Sequence, residues 1–493
     1  VTEPTLREVA DAFRATMPKE AHVSVFRIDA LDRIGIPVAQ ANLILPDEPA
    51  TIGYGYGMTE VEAEVGAVGE LCEEVHVGAF VKHAPRLVAS YSELRRTRGE
   101  RGVADPLTLC LPAGSAYTPD TPLSWVEARR WPSDEAVLIP REWVAAYPYQ
   151  LGEDKPRLIM PITNGLGAGF DHGHAIAHGL MELLQRDGNV VTYRALDQGV
   201  VVEPDVTEPD VAALLDHLRG LEIEVTIKLA CTDFGITNLY VVGDDRGTPT
   251  VPIQVTSCGE ASHPDRARGL RKALLEFCGS RSRKAATHGP VEQVLRVLPR
   301  DYAERQMRVA MLGEEEPRAL ASMAEWVAQD APELRRRLSG SVFAERSRVK
   351  LSQLPTVTPA SVARGEDRLH LLAGRLAAEE LDIVWVDCSP PGLPVKVVKT
   401  IVPGLESETM SYHRIGWRGV RRLRGRGDPL LLDGPHEGAR RVRLRPEDED
   451  RAGGPAWFDA ALADRMTAGL YPLYRESGPF AAQLFLRRER GAA

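Results

Sequence analysis

One stretch of this 493-residue chain occurs three times, and that repeat constrains the fold more than any other feature. GMTEVEAEVGAVGELCEE, from Gly57, aligns with GFDHGHAIAHGLMELLQR, from Gly169. Gly57 then meets Gly169, Ala63 meets Ala175, Leu71 meets Leu183, Glu70 meets Glu182 and Glu73 meets Gln185. A third version, HPDRARGLRKALLEFCGSR from His263, puts Glu276 in the same place. Each reads as a helix entered from a loop, with an apolar back and a Glu at constant depth. In the first copy Glu70 and Glu73 share one helical face. In the second, His174, His178, Glu182 and Gln185 run at steps of four, four and three, a polar stripe that leaves Leu180, Leu183 and Leu184 elsewhere. Carboxylates offered by two helices to a shared cleft suit hard cations, above all Mg²⁺ with nucleotide phosphates. The alternative, solvated faces of amphipathic helices, is weakened by the recurrence in register.

Around the repeats the pattern mixes elements. A short amphipathic helix over residues 1–20 precedes a hairpin over 21–45. The first repeat helix is predicted from about Thr59, as N-cap with Glu62 as its capping-box partner, to Val77. Residues 85–155 read as short strands and turns. RLIMPI, 157–162, is predicted as a strand, and NGLGAG after it as a flexible turn; its glycine spacing is not that of a dinucleotide fingerprint. VVTYRAL, EVTIKLA, NLYVVGD and PTVPIQVT read as strands leading to a helix over 264–281. Residues 300–380 are predicted helical and charged, LDIVWVD and PVKVVKTIV as a late strand pair, and the end from Phe458 as helical with a break near Pro472 and Gly478. The interleaving lacks strict βα alternation, which places the chain in the α+β class. Three divisions are expected: 1–49, 50–410, and 411–493 with six arginines between Arg414 and Arg426, read as a solvated loop.

Composition narrows the function. A net charge of −10 argues against global capture of nucleic acid. No apolar run is long enough for a membrane span, and the polar start does not resemble a signal peptide. Six cysteines without a Cys-x-x-Cys pair read as reduced cytosolic thiols, with Cys72 and Cys278 on apolar helix faces as core. A cytoplasmic location is expected.

At these residues the chain resembles the YcaO-like proteins, ATP-dependent enzymes that activate a backbone amide carbonyl in a peptide. The resemblance runs from about Ala50 to Glu406. It is carried by GYGMTEVEAEVGAVGELCEEV, TPDTPLSWVEARRW with VLIPREWVAAYPY, TNGLGAGFDHGHAIAHGLMELLQRD, HPDRARGLRKALLEFCGSRSR and LDIVWVDCSPPGLPVKVVKTIVPGLE. It implies a YcaO-like fold with helix–strand repeats around an acidic nucleotide cleft. By position, Glu70, Glu73 and Glu182 would bind Mg²⁺, with Gln185 as a neutral ligand, while Asn164, Arg186 and Arg281 would contact ATP. His178 or His174 would serve as base. Departures mark a divergent subgroup: Gly66 stands for the first motif's Ser, Glu74 for its Arg, Tyr56 for an entry Lys, Gln185 for a Glu, and His178 where Gln is common. The chain ends in LRRERGAA without the Pro-x-Pro-x-Pro tail of azoline-forming members, and a full leader-recognition domain does not fit before Ala50.

The resemblance therefore implies a stand-alone cyclodehydratase of ribosomal peptide natural products. Its partner would be a precursor peptide and its cofactors ATP and Mg²⁺; a homodimer is the default assembly for a soluble enzyme of this size. A bottromycin-type macroamidine, from attack by an amine, is the favoured product. Thiazoline or other azoline formation from Cys by the same chemistry is the nearest alternative. A degraded peptide-binding scaffold is a further one. The last is a zinc-dependent hydrolase built on His172, His174 and His178, although Ala175 stands where a His-Glu-x-x-His motif needs Glu.

Overall fold

The computed structural model describes residues 4–45, 50–249, 251–312 and 316–491. Small parts of the predicted N-terminal helix (1–3), of PTVPIQVT (250), of the charged helical region (313–315) and of the LRRERGAA end (492–493) lie outside the described residues. The chain forms two compact units. One comprises Val1–Cys72, Thr192–Thr356 and Ala468–Ala493, the other Glu73–Val191 and Val357–Thr467.

In the first unit the helix Leu6–Arg14 opens on a capping box between Thr5 and Glu8 and buries Ala10 and Phe13. The predicted hairpin forms as His22–Arg27 against Val38–Ile44, and Thr51–Tyr56 extends it into a three-stranded antiparallel sheet with Val38 opposite Tyr56. A five-stranded sheet runs in the order Cys258–His263, Thr237–Asp245, Ile223–Cys231, Val200–Glu203, Ser347–Lys350. Only its last pair is parallel. The helix Arg266–His288 lies on this sheet, with Leu270, Leu274 and Phe277 packed on Leu239, Val241 and Ala261.

In the second unit a path of five strands, Leu87–Ser90, Pro122–Trp131, Ile383–Asp387, Lys396–Ile401 and Leu166–Gly169, is joined by Ala136–Pro140 on Pro122–Trp131. The helix His172–Asn189, N-capped by the Asp171 carboxylate, packs on Leu166–Gly169 and Lys396–Ile401. Thr59 and Glu62 make the predicted capping box at the start of the helix Glu60–His83, within which the chain passes from the first unit to the second.

The three repeats share one physical device. Each helix follows a strand and lies on it at backbone distance, because the strand carries glycine where the two meet. A Cβ on Gly55 would overlap the Ala63 carbonyl oxygen, one on Gly167 that of Ala175, and one on Gly259 that of Ala273. This explains the main departure from the sequence reading. NGLGAG is not a flexible turn: Leu166–Gly169 is a buried strand. Its glycines serve close approach. RLIMPI is not a strand, since the Glu142 carboxylate accepts the backbone N–H groups of Leu158 (2.8 Å) and Ile159 (3.1 Å) and leaves them nothing to give a neighbouring strand.

VVTYRAL instead ends the preceding helix and turns through Arg194–Leu196, and PTVPIQVT holds a short 3₁₀ turn, Pro252–Val255. The arginine-rich stretch is a helix, Trp417–Gly425, not a solvated loop. Arg418 and Arg422 pair with the buried Asp187, and Arg414 donates to the carbonyls of Cys110 and Leu109. Among the described residues no helix is long and apolar enough to cross a membrane.

Gly167→Ala is expected to destabilise the protein by roughly 1–3 kcal/mol in urea denaturation, since strand and helix backbones must part. Gly374→Ala, in a helix with open space around the new Cβ, should stabilise it by up to about 1 kcal/mol.

Candidate functional site

In the first unit the candidate residues are Glu70 and Glu276. The Glu70 carboxylate accepts the backbone N–H of Tyr54, in the strand on which its own helix lies. Glu276 accepts the Tyr56 hydroxyl at 3.0 Å, and Tyr56 packs its ring on Gly279 of the helix Arg266–His288. Tyr54 and Tyr56 are one strand period apart, so their side chains leave the strand on the same side. Burial pushes the Tyr54 phenol up to about 12, so it remains a donor. Tyr56, which stands for the expected Lys, thus holds a carboxylate by hydrogen bonding instead of by charge.

Arg281, expected at phosphate, is placed otherwise. Its Nε and Nη2 donate to Asp32 at 2.8 and 2.9 Å, Nη2 also to Asp245 at 2.8 Å, and Nη1 to the Gln254 carbonyl at 2.8 Å. Arg281, Asp32 and Asp245 are all at most 1 % exposed. Asp245 also pairs with Arg33, so withdrawing the guanidinium would strand the Asp32 carboxylate, at a cost of about 3–5 kcal/mol. Arg281 is a structural ion-pair residue in this geometry.

In the second unit, described by itself, the candidate residues are Glu73, Asn164, Glu182, Gln185 and Arg186. Glu182 accepts the backbone N–H of Gly165 at 2.9 Å, in the turn just before the strand Leu166–Gly169 and one register position short of the Glu70 contact on Tyr54. Arg186, one turn on, lies 3.5 Å from Glu182, and Gln185 is buried. Glu73 lies 4.0 Å from the His178 imidazole, which is nearly half exposed. Glu74, in place of the expected Arg, is buried and accepts the Tyr147 hydroxyl at 2.7 Å. The three histidines part company. His172 meets Asp387 at 3.1 Å and packs on Trp385, and the His174 ring lies on Gly169, with burial lowering its basicity. Among the described residues no three His, Cys, Asp or Glu side chains converge as a ready cation cage.

Beside Gly165 the second unit holds a cavity of about 60 Å³, lined by Glu142, Trp143, Ile162, Asn164, Leu183, Lys399, Thr400, Glu406 and Arg414 among others. That volume holds several water molecules or a small polar group. Asn164 Nδ2 and Thr400 Oγ1 are buried there with no hydrogen-bond partner, so the cavity wall presents unmet polar atoms. Lys399 lies opposite Leu166 in the sheet and donates to the Ile162 carbonyl at 2.7 Å. Burial lowers its ammonium to about 8 against the raising field of Glu182. Burial raises Glu142 and Glu406 to about 7, against their backbone N–H donors. The sequence reading missed Lys399, Glu142 and Glu406. The lysine had a signal, a cation inside the apolar strand VKVVKTI, whereas the two glutamates had none.

These parts fit a Mg²⁺–nucleotide in donor chemistry: oriented carboxylates for the cation, and Arg186, Lys399 and the unmet Asn164 amide for phosphate oxygens. Comparison with known proteins agrees. The family model described as YcaO cyclodehydratase, ATP- and Mg²⁺-binding, matches residues 54–406. A protein of Methanothermobacter thermautotrophicus, itself uncharacterized, is 27% identical over 422 residues, covering 83% of this chain and 96% of the relative. Among solved structures, YcaO from Methanopyrus kandleri bound with AMPPCP and Mg²⁺ superposes with a TM-score of 0.56 at 20% identity, over 83% of this chain and 92% of that one. A heterocyclase in complex with substrate and cofactor superposes with a TM-score of 0.60 at 16% identity, over 82% of this chain. The present chain spans only 52% of that heterocyclase. At such identities the structural likeness is one of fold.

Glu406 gives a pH signature. Its carboxyl sits at about 7 in the fold and near 4.5 when exposed, so the folded state keeps a proton that the unfolded chain has released. Its contribution is full below about pH 4.5 and is lost as pH rises to about 7, on the order of 3 kcal/mol. Glu406→Gln is expected to flatten that part of the stability–pH curve in urea melts between pH 5 and 8. An unchanged slope would mean that Glu406 is ionised throughout.

Proposed function

Because this chain belongs to the YcaO cyclodehydratase family, we propose that it uses Mg²⁺-ATP to activate a backbone amide of a ribosomally made precursor peptide. The observation that carries the reading is the repeated seating of a helix carboxylate on a backbone N–H, Glu70 on Tyr54 and Glu182 on Gly165. Such fixed oxygens bind a hard cation with little reorganisation. The AMPPCP and Mg²⁺ held by the Methanopyrus protein support the same ligand.

An amide carbonyl is a poor electrophile and its oxygen a poor leaving group. Bound Mg²⁺-ATP supplies the phosphoryl group that lets this oxygen depart as phosphate. Glu70 in the first unit, and Glu73 and Glu182 in the second, are the carboxylates that would hold a cation, with Gln185 as a neutral oxygen ligand. Arg186 and Asn164 meet phosphate oxygens, and the protein's task is alignment and charge balance. His178, partly exposed beside Glu73, takes the proton released by the attacking group. His174, packed on Gly169, is the less exposed candidate for that role.

The nucleophile comes from the peptide. Burial raises Cys110, Cys258, Cys278 and Cys388 above the ordinary thiol range, so none of these is poised as a thiolate. We assign an amine as attacking group, giving a macroamidine. The new C–N bond forms at the amide carbon, the carbonyl oxygen leaves on phosphate, and ADP is the other product.

The test is an isotope transfer. A precursor peptide encoded beside the gene, ¹⁸O-labelled at the acceptor amide, is turned over with Mg²⁺-ATP. One ¹⁸O is expected in the released phosphate for each water lost from the peptide, and blocking the N-terminal amine should abolish both. Turnover that persists with the amine blocked but needs a Cys would assign a thiazoline instead, and phosphate without label would sink O-phosphorylation.

A further inference from the structure

The helix Arg266–His288 of the first unit carries another arginine, Arg283, two residues beyond Arg281 and on the other side. Successive helix positions are about 100° apart, so residues 281 and 283 diverge while 276, 283 and 287 fall on nearby faces. Arg281 is consumed by Asp32 and Asp245. Arg283 turns toward the site strand: its guanidinium lies 5.8 Å from the Tyr54 ring centroid, and its side chain is 40% exposed. The carboxylates of Glu70 and Glu276 both act on its charge.

Its ion-pair partner comes from the C-terminal segment. Glu476 places one oxygen 3.4 Å from Arg283 Nη2 and the other 3.4 Å from His288 Nε2. His288 is 1% exposed, whereas Arg283 faces solvent, so Glu476 is anchored at its inner end and holds the arginine at its outer end. Arg283, Lys284 and His288 together keep this carboxylate well below the usual range, against the cost of its burial. Glu476 lies past residue 406, outside the family-matched region.

Resting on the nucleotide reading above, we propose that Arg283 is the phosphate-contacting arginine of the first unit, and that Glu476 is a positioning residue that holds it over Tyr54. The pair is suited to this. At 3.4 Å the Arg283–Glu476 contact is longer than a close charge-assisted hydrogen bond, so the guanidinium can add a phosphate oxygen without leaving its partner. A phosphate contact at Arg283 leaves the Arg281 ion pairs with Asp32 and Asp245 intact. The C-terminal segment then becomes part of the catalytic machinery through Glu476.

Calorimetry on the full chain tests this with two probes, Mg²⁺-ATP and Mg²⁺-tripolyphosphate, the second lacking the nucleoside. Arg283→Ala is expected to weaken both by about 10-fold or more, the loss of one charge-assisted contact. Arg283→Lys should recover part of it. Glu476→Gln should raise KM for ATP several-fold with kcat less affected, and Glu476→Asp should restore some of that. Melting temperature is followed in each variant, and Arg219→Ala, an exposed surface change, serves as control. Wild-type binding with both probes unaffected by Arg283→Ala overturns the proposal and leaves the nucleotide reading standing. No binding by wild type overturns both. Equal loss of KM and kcat effects with a lowered melting temperature in Glu476→Gln, unrescued by Asp, would make Glu476 a structural residue.

Discussion

Everything at the candidate site depends on a backbone-to-backbone contact between a strand and the helix that follows it. Glycine at 55, 167 and 259 lets each helix lie directly on its strand, with carbonyl oxygens where a Cβ would be. At that separation a glutamate side chain reaches backbone N–H groups at or beside the strand: Glu70 that of Tyr54 within it, Glu182 that of Gly165 just before it. The carboxylate is thus oriented by two secondary-structure elements at once instead of by its own rotamer preference. A site built this way needs little ordering when a cation arrives, because the ordering entropy was settled in folding.

A second layer is buried charge. Asp187 at the end of one repeat helix is held by Arg418 and Arg422 and accepts the Glu406 backbone N–H at 2.9 Å, which ties the closing strand segment to that helix. Arg281 with Asp32 and Asp245 does comparable work in the first unit. Such networks are costly to break and fix geometry, so the arginines in them serve the scaffold, whereas Arg186 and Arg283 are more exposed.

The sequence carried the repeat, the α+β class and the hairpin clearly, because these rest on periodicity and register. It misled where tertiary context overrode local pattern. NGLGAG read as a turn because glycine usually breaks structure, yet its glycines are there so that a strand can be approached. RLIMPI read as a strand because it is apolar, yet Glu142, distant in no obvious pattern, takes its N–H groups. Arg281 and Arg283 are indistinguishable as letters. Only the placement of Asp32, Asp245 and Glu476, each far away in sequence, separates the buried one from the exposed one. In the arginine-rich stretch near residue 420, Arg418 and Arg422 likewise turn inward because Asp187, far away in sequence, pairs with them.

The most direct test of the central claim is calorimetric binding of ATP in the presence of Mg²⁺ to wild type, Glu70→Ala and Glu182→Ala. If strand-seated carboxylates make the nucleotide site, wild type binds in the micromolar range, and each variant, still folded, loses affinity by at least about 10-fold. Wild-type affinity retained in both variants, or no binding by the wild type at all, would contradict the account.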